Sequence, residues 1–162
     1  MSAGDSTAEF APADRWSAQL AGWGIPSHIV DQAPESPWGH VLAQFSLDDT
    51  VDRDAASARW AREVLPPAGG SVLDVGCGGG RSSLPLVPPA AELIGVDVSG
   101  AMLDAYVAVA RGAGVRCGTI HGAWPDVAVT APNADVVVCH HVLFNVADIE
   151  PFVMALSAHA RL

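Results

Sequence analysis

The sequence predicts an α/β chain: a doubly wound, mostly parallel sheet of about four strands. Three observations carry that prediction. Short apolar runs alternate with helical patterns through the second half of the chain, and a β-α-β-α alternation folds as a parallel sheet with right-handed crossovers. The first run lies in the stretch Ser71–Gly80, SVLDVGCGGG, and stops abruptly in Gly76, Gly78, Gly79 and Gly80, as a buried strand does when it enters a tight turn. The second run, Leu93–Asp97, LIGVD, ends in an acid about 20 residues on, at a strand end where doubly wound sheets bind ligands.

In chain order, residues 1–12 read as a small, polar, frayed tail. Residues 13–47 read as a helical and loop cap region. Asp14 is expected to cap a helix carrying Trp16, Leu20 and Trp23, closed by Gly22 and Gly24. Pro26, Pro34 and Pro37 then prevent a long helix around His28, Trp38 and His40. These tryptophans either cover one edge of the core or form a lid over a substrate.

Residues 48–162 read as one domain. A helix over Asp49–Leu65 carries Val51, Ala55, Ala58 and Trp60 and is ended by Pro66 and Pro67. After the glycine turn, RSSLPL can start a helix pointing its positive end at the turn, kept short by Pro85, Pro88 and Pro89. The glycine turn is expected to leave its N–H groups open to a ligand. Strand two is Glu92–Asp97, and Ser99 caps a helix over Gly100–Arg111, stopped by Gly112 and Gly114. Strand three is Val115–Ile120. Strand four is Ala134–Cys139, followed by His140-His141, and Asp148 caps a last helix carrying Ile149, Phe152, Val153 and Leu156.

The totals narrow the function. The chain has 162 residues, half of them hydrophobic, and a net charge of −10 with only 8 Lys plus Arg. Such an acidic chain repels phosphate backbones, so nucleic acid is not the expected partner. Cys77, Cys117 and Cys139 form no C-x-x-C pair, and no histidine pair has zinc-ligand spacing, so no metal is expected. No apolar run is long enough to span a membrane, and a cytoplasmic protein is expected.

The spacing D-x-G-x-G-x-G from Asp74 to Gly80, with Asp97 downstream, resembles motif I of the class I S-adenosylmethionine-dependent methyltransferases. Arg81 stands where the dinucleotide fingerprint G-x-G-x-x-G needs its third glycine. The resemblance covers roughly residues 66–160 and implies a Rossmann-like sheet of order 3-2-1-4, lacking the family's strands five to seven. It implies S-adenosyl-L-methionine as cofactor and S-adenosyl-L-homocysteine as product. Gly76, Cys77, Gly78 and Gly80 would pass around its methionine part. Asp74 would hold the turn and the amino group, Asp97 the ribose hydroxyls, and Val98 and Met102 the adenine. Where the family has Gly-Asp after strand three, this chain has Gly122-Ala123, leaving adenine to backbone groups and Trp124. With that strand order, strand four is a bare apolar edge, so either the sequence is a fragment or another chain, such as a second copy, covers the edge.

Methyl transfer needs positioning, and a base when the nucleophile is a hydroxyl or protonated amine. His140 and His141 sit at the carboxyl end of strand four, and strand alternation places one toward the cofactor and the other toward the helix layer. By resemblance His140 lies against the methionine moiety, with His141 and Asn145 on the substrate side. The reading is a methyltransferase acting on a small-molecule acceptor. The alternatives are a non-catalytic S-adenosylmethionine-binding protein and an NAD-dependent oxidoreductase.

Overall fold

The computed structural model describes residues 11–24, 26–32 and 52–161. Trp38, His40, the tail before residue 11 and the beginning of the helix expected from Asp49 lie outside the described residues.

Helix α1, Pro12–Trp23, begins on Pro12 rather than on a cap from Asp14. Proline suits a first helical position because its fixed φ is already helical, which leaves Asp14 as a first-turn acid beside the helix's positive end. Trp16 donates its indole N–H to the Val146 carbonyl at 2.7 Å and so pins α1 near the far end of the chain. A single turn, α2, covers Ser27–Val30.

Helix α3, Ala56–Val64, is shorter than the sequence suggested. Its buried face is Ala58 and Ala61, with Leu65 just beyond, while Trp60 points outward at 68% exposure. The small residues let α3 lie close to the sheet. Strand β1, Gly70–Val75, follows, and the glycine turn leads not into an α-helix but into a three-residue 3-10 turn, Leu84–Leu86. The prolines decide this: Pro85, Pro88 and Pro89 each lack the N–H that an α-helical ladder requires.

Strand β2, Ala90–Asp97, pairs in parallel with β1, with Asp74 opposite Gly95 and Val75 opposite Val96. Ser99 caps helix α4, Gly100–Gly112, by accepting the Met102 N–H at 3.4 Å, and Leu103, Tyr106 and Ala110 form its buried face. Strand β3, Arg116–His121, pairs with β2. Strand β4 is only Val136–Val138, pairing with β1, and helix α5 covers Ile149–His159. Asp148 occupies the position before α5 without making a side-chain cap.

The sheet order is β3-β2-β1-β4, all parallel. Alternation along β1 builds two cores. Val72 joins Ala58, Leu84, Leu93, Leu103 and Tyr106 on the α3 and α4 face. Leu73 and Val75 join Ile94, Val96, Trp124 and Phe152 on the α5 face.

The outer edge of β4 is not wholly bare. Ala134 N–H donates to the His159 carbonyl at 2.9 Å, and Arg161 N–H donates to the Ala134 carbonyl at 3.0 Å. Ala160 thereby forms a parallel bridge with Ala134 beside the start of β4. No helix among the described residues is long and apolar enough to cross a membrane.

Candidate functional site

The carboxyl ends of β1 and β4 open onto one cleft of about 170 Å³. Gly76, Cys77, Gly78, Arg81 and Ser82 line it from the glycine turn, His140 and His141 from beyond β4, and Asp52 and Ala55 from the segment before α3. Left-handed backbone at Gly76 (φ 73°), Gly78 (φ 50°) and Gly80 (φ 92°) folds the turn back on itself. A Cβ on Gly76 would collide with the Val142 side chain.

Four of the turn's N–H groups, those of Gly76, Cys77, Gly78 and Gly80, are not open. Gly76 and Cys77 both donate to the Val96 carbonyl, at 2.8 and 3.0 Å, and Gly80 donates to Cys77 at 2.9 Å. Gly78 donates to Asp97 Oδ2 at 2.9 Å. The turn therefore offers its bare glycine surface rather than a nest of donors. The short 3-10 segment that follows adds no helix dipole either.

Asp97 has a second partner, accepting the Ser99 N–H on Oδ1 at 2.9 Å. One carboxylate thus joins the glycine turn to the start of α4. Each of its oxygens keeps acceptor capacity, since a carboxyl oxygen that takes one hydrogen bond has a lone pair left for another. Val98, 68% exposed, and half-buried Met102 follow on the open surface beyond it. Ala123 is exposed nearby in sequence to the β3 end, and His121 Nε2 is paired with the Val98 carbonyl at 2.9 Å.

Asp74 has no exposed surface and does not line the cleft. It lies on the Val72 face of β1, with Tyr106 and Ser83 as neighbours whose hydroxyls bond each other at 3.0 Å. Neither Asp74 oxygen has a well-formed hydrogen bond among the described residues. Burial pushes its pKa up to about 7; nearby Ser83 groups oppose that rise, and the Asp97 charge adds to it. Cys77 is buried, and loss of water raises its thiol pKa far above the ordinary value, so it is an inert wall rather than a nucleophile.

The histidines depart from strand alternation. Pairing ends at Val138, and His141 takes a left-handed backbone with φ 58°. The chain turns there, and both His140 and His141 line the cleft instead of facing opposite layers. Their rings meet edge to face with centroids 6.5 Å apart. Burial, aided by the neighbouring His141, lowers the pKa of His140 below its ordinary 6.5. At pH 7 it is neutral and able to accept a proton. Asn145 is exposed in a 3-10 turn, Leu143–Asn145, and does not line the cleft.

Trp124 is 8% exposed, packed in the α5-side core. Its indole donates to the Phe152 carbonyl at 3.2 Å, and its ring stands edge-on to His159. Asp52, Ala55, Arg81 and Ser82 are cleft residues that sequence reasoning did not single out. Arg81-Ser82 could have been found from their place directly after the turn. Asp52 had no such signal, because only the fold brings it across from a remote segment. Among the described residues, no three His, Cys, Asp or Glu side chains gather as a metal site.

Three comparisons with known proteins bear on this geometry. Residues 72–162 match the family described as methyltransferase domain. A ubiquinone biosynthesis O-methyltransferase of Rhizobium johnstonii is 30% identical over 163 residues, covering 96% of this chain and 61% of that protein. Another from Azorhizobium caulinodans is 36% identical over 92 residues, covering 57% of this chain and 36% of its own. The chain thus spans less than two thirds of the length of these relatives. The magnesium protoporphyrin IX methyltransferase of Synechocystis PCC 6803, solved with bound SAM, superposes with a TM-score of 0.54 at 26% identity, covering 67% of this chain and 53% of that one. An S-adenosylmethionine-dependent methyltransferase of Clostridium acetobutylicum gives 0.53 at 19% identity over 83% of this chain and 52% of that one, a likeness of fold. The matched segment runs from β1 through α5 and contains the glycine turn, Asp97 and both histidines, and the chain belongs to the methyltransferase domain family.

Proposed function

We propose that the cleft binds S-adenosyl-L-methionine and that the chain belongs to an enzyme methylating a hydroxyl of a small molecule. The observation that carries this reading is the internal use of the turn's donors. A pyrophosphate needs open N–H groups and a helix N-terminus, and this turn offers neither at Gly76, Cys77, Gly78 or Gly80. What remains is close approach to a bare backbone beside acceptors. That suits a ligand whose reacting centre is a sulfonium cation. The acidic chain adds a favourable background for a cation and an unfavourable one for phosphate.

The residues fit that ligand in parts. Gly76, Cys77 and Gly78 would take its methionine end in the cleft, Asp97 its ribose hydroxyls, and Val98 and Met102 its adenine on the open surface. When bound, the cofactor supplies a methyl group already activated toward displacement. The chain's own residues orient the acceptor, exclude water and remove a proton. Neutral His140 is the candidate base, and His141 stands beside it on the same wall. The choice of a hydroxyl acceptor rests on relatives named O-methyltransferases.

Calorimetric titration with S-adenosylhomocysteine, using NADH as control, tests the cofactor. Micromolar binding, about −8 kcal/mol, is expected, with no response to NADH. Binding of NADH alone would turn the reading toward an oxidoreductase. For the chemistry, His140→Ala is expected to lower turnover of an accepted hydroxyl substrate by about 10²-fold or more, as loss of a general base does, leaving cofactor affinity within a few-fold. His141→Ala distinguishes which ring acts. Unchanged turnover in both variants would remove the base. A second reading, binding without transfer, draws on Ala123 where the family resemblance calls for an acid; retained binding with no transfer to phenolic or aliphatic hydroxyls would favour it.

A further inference from the structure

The prolines after the glycine turn have an effect beyond breaking a helix. In the 3-10 turn, Leu86 N–H donates to Ser83 and Val87 N–H donates to Leu84. The next donor in that series is residue 88, a proline with no N–H, and residue 89 is another. The Pro85 carbonyl is therefore left without a backbone partner from its own turn. Arg62 of α3 supplies one, donating from Nη1 at 2.9 Å.

The same guanidinium holds the other wall of the cleft. Nη1 also donates to the Arg53 carbonyl at 2.6 Å, and Nη2 donates to Asp54 Oδ1 at 3.1 Å. Arg53 and Asp54 lie between Asp52 and Ala55, the two residues of this segment that line the cleft. The segment is itself folded tightly: Asp54 N–H donates to Asp52 Oδ1 at 2.9 Å, and Ala55 N–H donates to the Asp52 carbonyl at 3.3 Å. Arg62, whose side chain is only 22% exposed, joins this segment to the Pro85 carbonyl. A planar fork reaches three acceptors at once; an ammonium on a flexible stem does not reproduce that geometry.

We propose that Arg62 is a positioning residue for the cofactor cleft, fixing the Asp52–Ala55 wall at a set distance from the glycine turn through Pro85. It does not itself line the cleft. The inference rests on the cofactor reading above.

The test compares the wild type with Arg62→Ala and Arg62→Lys. Titration with S-adenosylhomocysteine is expected to show affinity about tenfold weaker in Arg62→Ala, the scale of lost hydrogen bonds to a charged group. Arg62→Lys is expected to recover only part of it, because an ammonium cannot reach the three acceptors together. Added guanidinium at millimolar concentration should restore affinity to Arg62→Ala. A purely structural arginine would lower the melting temperature of both Arg62 variants and leave affinity within twofold, which overturns the proposal. Amide exchange at Asp54 and Ala55, measured without ligand on wild type and Arg62→Lys, should speed up several-fold in the variant. If those amides are unchanged, the inference fails regardless of the ligand; if they speed up while wild type binds no S-adenosylhomocysteine, the cofactor reading fails instead.

Discussion

Gly76→Ala is expected to cost about 2–5 kcal/mol of stability and to abolish measurable cofactor binding. Two separate penalties combine. The backbone at Gly76 sits at φ 73°, where an L-residue with a Cβ is strained by about 1–2 kcal/mol. The added methyl also meets the Val142 side chain, which packs with the α5-side core and cannot withdraw without opening it. Overpacking of that kind costs about 1–3 kcal/mol. The parts separate experimentally. Gly76→Ala combined with Val142→Ala removes the overlap and leaves the strain, so urea unfolding of the double variant should show less loss than the two single losses added. Strict additivity would mean that the collision is not the cause. Because Gly76 and Cys77 hang on the Val96 carbonyl, displacement of the turn should also pull it from β2 and spoil the site.

Asp74→Asn is expected to remove most of a pH-dependent loss of stability. In the unfolded chain this carboxyl titrates near 3.8, whereas in the folded protein burial holds its pKa up to about 7. The folded state therefore keeps a proton that the unfolded state releases. The stabilisation from that proton is fully present below pH 3.8 and lost progressively as pH rises toward 7. A carboxyl held at about 7 in the folded chain against 3.8 in the unfolded one contributes a few kcal/mol, on the order of one RT ln 10 per pH unit, across the window. Asparagine does not ionise, so the difference in unfolding free energy between pH 5 and pH 8 should shrink by a few kcal/mol in the variant. Parallel pH profiles for wild type and variant would show that Asp74 is ionised in the folded protein and paired there. The network around it, Ser83 and Tyr106 with Cys77 close by, has no cation to hold a carboxylate among the groups that perturb it.

What was legible in the sequence follows from short-range physics. Strands β1 and β2 could be read because an apolar run closed by glycines or an acid has few other solutions. Helix α4 was marked by Ser99 at one end and Gly112 and Gly114 at the other. The strand order came from the family resemblance, and the sheet has it. The misreadings arose where distant residues decide. The donors of the glycine turn were taken as open because nothing local shows that the Val96 carbonyl, on another strand, receives two of them. Trp60 points outward because α3 needs its alanines against the sheet. His141 defeats the alternation rule because β4 ends at Val138, three residues before it, and the backbone turns left-handed at His141. Asp52 and Arg62 carry no motif at all; only the fold brings them to the cleft and its brace.

At the opposite end of the sheet a side-chain clamp ties β1 to the start of β4, and its span in sequence bears on the order of assembly. Asp135 accepts both the backbone N–H and the hydroxyl of Ser71, at 2.8 and 2.9 Å, across a sequence separation of 64. The β1–β2 pairing closes a loop about a third as long, so its entropic cost is lower by about 1 kcal/mol. Strand β4 should therefore join a preformed β1–β2 pair late and leave it early during unfolding. His140 and His141 ride on the end of that strand. The His140–His141 wall of the cleft should therefore take its shape after the β1–β2 pair and lose it before that pair opens.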